Sequence, residues 1–273
     1  MGRILAIAGT EARIAMRNRW VLIATAIMLM FALALTFAGS APTGALGVDL
    51  LTVSVASMTT LSVYLAPLLA LMLAFDALAG EADRGGLALI LSYPVSRAEI
   101  LAGKGLAHLG VLAFAMTAGF GAAGAAAAMA GGAGADSLMA LARLIGSSIL
   151  LGAAFLALGY AVSALAGSTT AAAAMAAGLW LVAVVLYDLA LLGAVVWSGD
   201  GAFTRDIFPW LLAANPADAF RLWNVAASEG VALASGMGGA ASALPGWAAP
   251  LSLLLWPVAA LGLARAAFGR MEP

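Results

Sequence analysis

Residues able to do chemistry are scarce in this sequence. Its 273 residues include no cysteine and one histidine, His108. Because a zinc or copper site of thiolates and imidazoles needs several such ligands, one chain cannot build it. We therefore expect no metal site, no cofactor bound by this chain and no catalytic residue. We assign His108 to an interfacial or interhelical hydrogen bond.

Two glycine motifs match nucleotide-binding patterns only in part. Residues 119–124, GFGAAG, fit GxGxxG but lie inside an apolar stretch, whereas a dinucleotide site needs a turn between a strand and a helix. Around Gly103-Lys104-Gly105, the upstream glycine and the following Ser or Thr of a phosphate-binding loop are missing. The sequence predicts neither a dinucleotide site nor ATP hydrolysis by this chain, and it points to no nucleic-acid partner.

Asp188 is an unusual residue because it lies in an apolar stretch. A carboxylate at the bilayer centre costs about 2.5–3.5 kcal/mol on insertion scales, so such residues tend to be functional. Asp188 lies nearer the outer end of its stretch, where that cost falls. Two interpretations stay open: an intramembrane polar site, or a structural bond to the outer loop.

The composition explains why so few polar groups occur. The chain is 64% hydrophobic and 9% charged, with a mean hydropathy of +1.08, whereas soluble domains carry about 25% charged residues. We predict an all-α, polytopic membrane protein that forms one domain over residues 1–273. Apolar stretches of about 20 residues can each cross the bilayer. The six predicted spans are about 20–38, 50–75, 105–131, 144–166, 172–197 and 247–267.

Two features accompany the predicted spans. Residues 3–17 form a modest amphipathic elbow helix, suited to lie in the membrane interface, although Glu11 falls off its basic stripe. In the third span, small residues recur every four positions and predict close helix packing. These residues are Ala118, Ala122, Ala126 and Ala130.

Residues 81–104, here called the coupling segment, form a long charge-bearing stretch between apolar spans. Its apolar run Leu87–Leu91 predicts a short helix that ends at the turn Tyr93-Pro94. Ser96 and Glu99 have capping-box spacing, so a new helix is expected to begin at about Arg97 and to run into the third span. A soluble partner bound to the short helix could then move a membrane helix. The polar groups flanking these elements are Glu81, Asp83, Arg84 and Lys104.

Residues 198–246 form the longest segment outside the predicted spans. Asn215 as N-cap, Pro216 at the first helical position and Asp218 in the first turn predict a helix start. Asp218 and Arg221 have i,i+3 spacing for an ion pair. Phe220 and Trp223 lie on the same helix, which we expect to touch or dip into the membrane surface.

The distribution of basic residues predicts the orientation. Four lie at the N-terminus, three in the coupling segment and two in the C-terminal tail, against three elsewhere. Because cytoplasmic loops carry the excess of Lys and Arg, both termini and the coupling segment are predicted to be cytoplasmic. The three remaining residues are Arg143, Arg205 and Arg221, and residues 198–246 would face outward.

The chain resembles the membrane subunit of ABC-2 type transporters, in which an elbow helix precedes six spans and a cytoplasmic segment contacts an ATPase. The resemblance is carried by Glu81, Gly85 or Gly86, Leu87, Ile90, Leu91, Pro94, Ser96, Arg97, Glu99, Ile100, Leu101, Gly103 and Lys104. It implies a second copy of the chain, a cytoplasmic ATPase dimer that holds ATP and magnesium, and a bacterial inner-membrane location. The implied ATPase-coupling residues also include Asp83 and Arg84.

A narrower resemblance covers nearly the whole chain. Residues 17–20, 68–76 and 215–222 are similar to those of NosY-type permeases, which serve copper-centre maturation of periplasmic nitrous oxide reductase in denitrification. It implies a periplasmic β-helical partner and, indirectly, a copper chaperone. The implied partner-binding residues are Asn215, Pro216, Asp218, Phe220, Arg221 and Trp223.

Two other functions are weighed. A general ABC-2 exporter of lipid, polysaccharide or drug would share the coupling segment. An intramembrane serine protease of the rhomboid type would also have six spans, but the chain lacks a Gly-x-Ser-Gly nucleophile motif, and His108 lies near the cytoplasmic end of its span. We expect a non-catalytic membrane subunit whose cargo is copper, a sulfur species or nothing.

Overall fold

The computed structural model describes residues 1–17, 19–38, 49–199, 201–226 and 244–271, and this part of the chain is helical and contains no strand. The helices are α1 (Gly2–Arg17), α2 (Arg19–Ala38), α3 (Leu50–Ala74), α4 (Asp76–Asp83), α5 (Gly86–Ser92), α6 (Arg97–Gly131), α7 (Ala135–Leu165), α8 (Thr169–Trp180), α9 (Tyr187–Ser198), α10 (Phe208–Ala214), α11 (Pro216–Ala226) and α12 (Ala248–Arg270). Residues Leu181–Leu186 and Phe203–Ile207 are π-helical.

The all-α membrane architecture predicted from composition is confirmed. Five described helical stretches are long and apolar enough to cross a bilayer. They are Leu50–Asp83, Arg97–Gly131, Ala135–Leu165, Thr169–Ser198 and Ala248–Arg270. The first predicted span is helical as α2, and its apolar part Thr25–Phe37 is shorter. Helix α7 begins earlier than the predicted fourth span, so Asp136 lies in its first turn rather than in a loop.

Helix α7 forms the centre of the bundle and packs along α3 and α12. Small residues of α7 allow the close approach of α3 and also of α6. A Cβ atom at Gly159 would lie 2.6 Å from Ala74 Cβ, and one at Gly152 would lie 2.2 Å from Leu112 Cδ2. The hydroxyl groups of Ser62 and Ser148 are 2.8 Å apart in the same core. The interior thus depends on small side chains and on internally satisfied hydroxyls, as membrane helix interfaces generally do.

The packed face of α6 differs from the predicted one. Ala122 and Ala130 are exposed, and Ala118 and Ala126 are only half-buried. The close contacts involve glycines one or two positions further along the helix: Gly119 against Met28, Gly124 against Leu141 and Gly131 against Leu50. Since each residue turns the helix by about 100°, this offset selects a different face. The predicted row was therefore wrong.

One end of the bundle collects both termini and the coupling segment. Ser163 Oγ, near the end of α7, accepts hydrogen bonds from the backbone N–H groups of Leu78 and Ala79, each at 3.0 Å. At the opposite end, Asp49 Oδ2 accepts from Gly134 N at 2.9 Å and from the Ser137 hydroxyl at 2.8 Å. The common location of the two termini agrees with the even number of predicted spans.

Helix α1 packs along α6 at Gly103. A Cβ atom at Gly103 would lie 2.7 Å from Ile7 Cβ and 3.1 Å from Ile4 O, so only glycine permits this contact without a shift. The amphipathic elbow helix is therefore held against α6 by backbone proximity.

We expect Gly103→Val to destabilise the protein by about 1–3 kcal/mol because it overpacks this contact. Gly110→Val on the same helix is the matched control, since a Cβ atom there meets nothing within 4 Å. Thermal unfolding of the purified proteins in detergent checks this. Equal midpoints for the two variants would contradict the α1–α6 packing.

Candidate functional site

The short helix α5 presents an apolar face at the end of the bundle that holds the termini. It follows Gly85, whose φ of +71° is in the left-handed region that glycine adopts readily. Leu87 is buried, at 1% exposure, and anchors the helix to the core. Leu89 and Tyr93 are 64% and 63% exposed. Of the predicted coupling residues, Leu87 is therefore an anchor, whereas the exposed surface includes Leu89 and Tyr93, which the sequence analysis did not select.

The remaining apolar coupling residues lie around this face. Ile90 and Leu91 are half-buried, and Pro94 is exposed. These three residues connect the anchored side of α5 to its exposed side. The short helix predicted over Leu87–Leu91 is confirmed, with bounds of Gly86–Ser92.

The predicted capping box joins α5 to α6. Ser96 N donates to Glu99 Oε2 at 2.8 Å, and Glu99 N donates to Ser96 Oγ at 3.2 Å. These reciprocal bonds satisfy two backbone donors at the start of α6. Helix α6 then continues without interruption to Gly131. The joint predicted from the sequence is confirmed in its geometry.

Lys104 is the centre of a charge cluster that connects three helices. Its side chain is 4% exposed, and Nζ donates to carboxylates of Glu11 from α1 and of Glu81 from α4, the latter at 2.6 Å. A buried ammonium group requires such partners because desolvation disfavours its charge. The predicted coupling residues Glu81 and Lys104 therefore meet each other inside the protein.

His108 extends this cluster into the core. Its Nδ1 lies 2.8 Å from the hydroxyl oxygen of Tyr160 on α7, and the two rings are nearly parallel. His108 Nε2 lies 4.0 Å from Glu11 Oε2. The predicted interhelical hydrogen bond of His108 is confirmed. A chain of polar contacts thus runs from the elbow helix, through the start of α6, to α7.

Other coupling-segment side chains bind neighbouring helices. The Arg97 guanidinium donates to Phe268 O and to Met271 O, the latter at 2.7 Å, and lies 5.2 Å from the centroid of the Phe268 ring. Asp83 Oδ2 accepts from Thr169 N at 2.7 Å, at the start of α8. Arg97 therefore binds the end of α12, where free carbonyl groups favour a cation.

Arg84 and Asp76 form an exposed pair of the same region. Their charged atoms are 3.6 Å apart, and their side chains are 65% and 41% exposed. Exposed pairs of this kind contribute little to stability. Arg84 is therefore the basic coupling residue most available to solvent on this segment.

Comparison with known proteins places these elements in a family. A model of ABC-2 family transporter proteins matches residues 5–272, from the elbow helix to the end of α12. The chain belongs to the ABC-2 transporter family. It is 43% identical over 272 residues to "Probable ABC transporter permease protein NosY" of Pseudomonas aeruginosa, with 97% of each chain covered. It is 39% identical over 274 residues to a protein of the same name from Stutzerimonas stutzeri, with 99% of each covered.

In this ABC-2 permease subunit, the predicted partner-binding residues of α11 are more buried than a contact surface would be. Asn215, Pro216, Asp218 and Phe220 are buried, and only Arg221 and Trp223 are half-buried. Helix α11 packs against α3, α7 and α12, and its contact with the membrane surface stays a prediction. Four of the six predicted partner-binding side chains are thus interior groups, because α11 packs against other helices of the bundle.

The local structure of α11 nevertheless follows the prediction. It begins at Pro216, and Asn215 Oδ1 accepts from Ala217 N at 2.8 Å. Arg221 donates to Asp218 Oδ1 at 3.0 Å and to Asp188 Oδ2 at 3.0 Å. The structure therefore brings Asp188 into a bond with the outer segment. Asn215 Nδ2 also donates to Ala183 O, within the π-helical stretch, at 2.7 Å.

Glu11 and Tyr160 belong to the Lys104 cluster but were not among the site residues predicted from the sequence. Glu11 carried a detectable signal, because a carboxylate off the polar stripe of an amphipathic helix needs a partner within the protein. Tyr160 carried none, since it is separated from His108 by 52 positions in the chain. Among the described residues, no group of three or more His, Cys, Asp or Glu could hold a metal ion.

Replacing Lys104 with methionine should strongly destabilise the protein. It leaves the half-buried carboxylates of Glu11 and Glu81 without their cation, and breaking a buried pair costs about 3–5 kcal/mol. Arg84→Met is the control, since the Arg84–Asp76 pair is exposed. The measurement is the free energy of unfolding in denaturant. Adding Glu81→Gln to Lys104→Met should restore part of the loss, and no recovery would contradict direct pairing.

Proposed function

We propose that a cytoplasmic ATPase dimer, which holds ATP and magnesium, binds α5 and drives this permease subunit. The observation that carries this proposal is the exposure of two large side chains, Leu89 on the short helix α5 and Tyr93 directly after it. A capping box then joins this segment to α6. Large apolar side chains on a charged, polar segment are typical of a docking surface. The anchored Leu87 would prevent α5 from yielding when the partner pushes on it.

The charge cluster supports a route for the movement. A displacement of α5 reaches α6 through the joint at Ser96, and it reaches α1 because Glu11 and Glu81 hold the same ammonium group. It reaches α12 through Arg97 and α8 through Asp83. Coupling of this kind requires helices that can adopt two alternative arrangements. Both ATPase binding and the state of the membrane-spanning helices must favour one of these arrangements over the other. In our proposal these elements are α5, α1 and the first turns of α6.

The orientation and assembly follow from the same proposal. The end with both termini faces the cytoplasm of a bacterium, in the inner membrane, and residues 198–246 face the periplasm. Two copies of the chain form the permease. The similarity to proteins named NosY supports a role in copper-centre maturation of nitrous oxide reductase, with a periplasmic β-helical partner and a copper chaperone acting indirectly. The chain would be the non-catalytic subunit.

The burial of α11 limits how a periplasmic partner would bind. Asn215, Asp218 and Phe220 cannot be reached from outside, so contact would involve Arg221, Trp223 and neighbouring exposed groups such as Trp210 and Trp247. With no cysteine and its one histidine buried against Tyr160, the chain is poorly suited to bind copper tightly. We therefore propose that it carries a sulfur species or transmits force.

Leu89→Asp with Tyr93→Asp should abolish co-purification of the ATPase in mild detergent, because two carboxylates would face an apolar partner surface. Mass spectrometry of the tagged protein and its partners is the measurement. Gly269→Asp is the control, since it adds a carboxylate to an exposed position at the same end of the bundle.

The composition of the purified complex tests the rest of the proposal. An ATPase together with a periplasmic β-helical protein is the expected result. Recovery of the ATPase alone would favour a general ABC-2 exporter. Unchanged recovery of the ATPase with the double variant would show that α5 is not the contact.

A further inference from the structure

The polar cluster between α9 and α11 has an unbalanced charge. Arg221 binds both Asp188 and Asp218, with each N–O distance at 3.0 Å. The side chains of Arg221, Asp188 and Asp218 are 15%, 29% and 3% exposed, respectively. Two carboxylates therefore share one guanidinium in a largely dehydrated location. If both carboxylates were ionised, the cluster would carry one uncompensated negative charge.

Asp218 has a specific unsatisfied atom. Its Oδ2 is buried and has no hydrogen-bond partner among the described residues. A buried carboxylate oxygen without a donor is costly. A proton on this carboxyl group would convert an acceptor into a donor, and Asp188, which binds the same guanidinium group, is the neighbouring carboxylate that could accept it.

The elements packed around Asp218 supply no second cation among their described residues. Tyr187 donates its hydroxyl to Leu211 O at 2.7 Å, and Asn215 is committed to Ala183 O. Helices α3 and α10 contain no charged residue, and α12 has only Arg265 and Arg270, near its other end. Helix α7 carries Arg143, but the ion pair of Asp218 within the described residues is formed with Arg221, and the side-chain bond between α7 and α11 joins Ser147 to Asn224.

We propose that Asp188 and Asp218 form a proton-binding site, in which one proton is shared between the two carboxyl groups and Arg221 neutralises the remaining charge. The ligand is a proton because the site has too few ligands for a divalent cation, which prefers six or more oxygen atoms. If α11 separated from α9, the carboxyl group of Asp218 would become hydrated, dissociate to a carboxylate and release its proton to water.

Electrostatics supports the same assignment. Burial and the negative charge of Asp188 raise the pKa of Asp218 from 3.8 to about 8, although the positive charge of Arg221 acts in the opposite direction. A raised pKa means that the folded protein holds a proton that the unfolded chain has lost. The corresponding stabilisation is complete below 3.8 and is lost as the pH rises towards about 8.

Infrared spectroscopy of the full-length protein in lipid bilayers, with ¹³C-labelled aspartate, tests the proposal. At neutral pH we expect the C=O band of a protonated carboxyl group, which Asp218→Asn abolishes. Asp188→Asn should also abolish it, because Asp218 would then form a one-to-one ion pair with Arg221 and ionise. Asp136→Asn, in the first turn of α7, is the control and should leave the band unchanged.

Three results would overturn the proposal. The first is the absence of a protonated aspartate band in the unaltered protein at neutral pH, which requires no variant to fold. The second is a band that persists in Asp188→Asn, since burial alone would then hold the proton. The third is a thermal midpoint that depends on sodium or potassium concentration but not on pH, which would assign the site to a metal cation. The test is independent of ATPase binding.

Discussion

The burial of the Lys104 ammonium group is the constraint on which the end of the bundle that holds α1 and the coupling segment depends. A charge in this location must be paired, and its two carboxylate partners come from different helices, α1 and α4. The same residue therefore determines where the elbow helix lies and where the coupling segment begins. The hydrogen bond between His108 and Tyr160 extends this set of polar contacts to α7, so that the core helices and the peripheral helices share one polar network.

The two helices that meet in this network, α6 and α7, have different structural roles. Helix α7 is the packing centre, and its glycines and serines let α3 and α6 approach closely. Helix α6 carries the contacts that a partner could displace, because its first turns hold the capping box, Arg97 and Lys104. The packed interior is thus connected to the polar cluster around Lys104 by one continuous helix, α6.

Local features of the fold could be predicted from the sequence, whereas long-range features could not. The capping box at Ser96, the helix start at Asn215 and the Asp218–Arg221 pair each depend on residues within a few positions, and the structure contains all three. The burial of α11 and the exposure of Leu89 depend on which elements pack together. Apolar periodicity cannot decide that in a membrane protein, because lipid-facing and core-facing residues are equally apolar.

The contact between Arg97 and the last turn of α12 has a consequence for biosynthesis. Arg97 leaves the ribosome long before Phe268 and Met271, the residues whose carbonyl groups it binds. The helices that precede α12 are synthesised before that bond can form. The start of α6 therefore acquires these two hydrogen bonds only after residues 268–271 have been synthesised, so a chain truncated before Phe268 would keep the earlier helices but would leave the Arg97 guanidinium without these carbonyl partners.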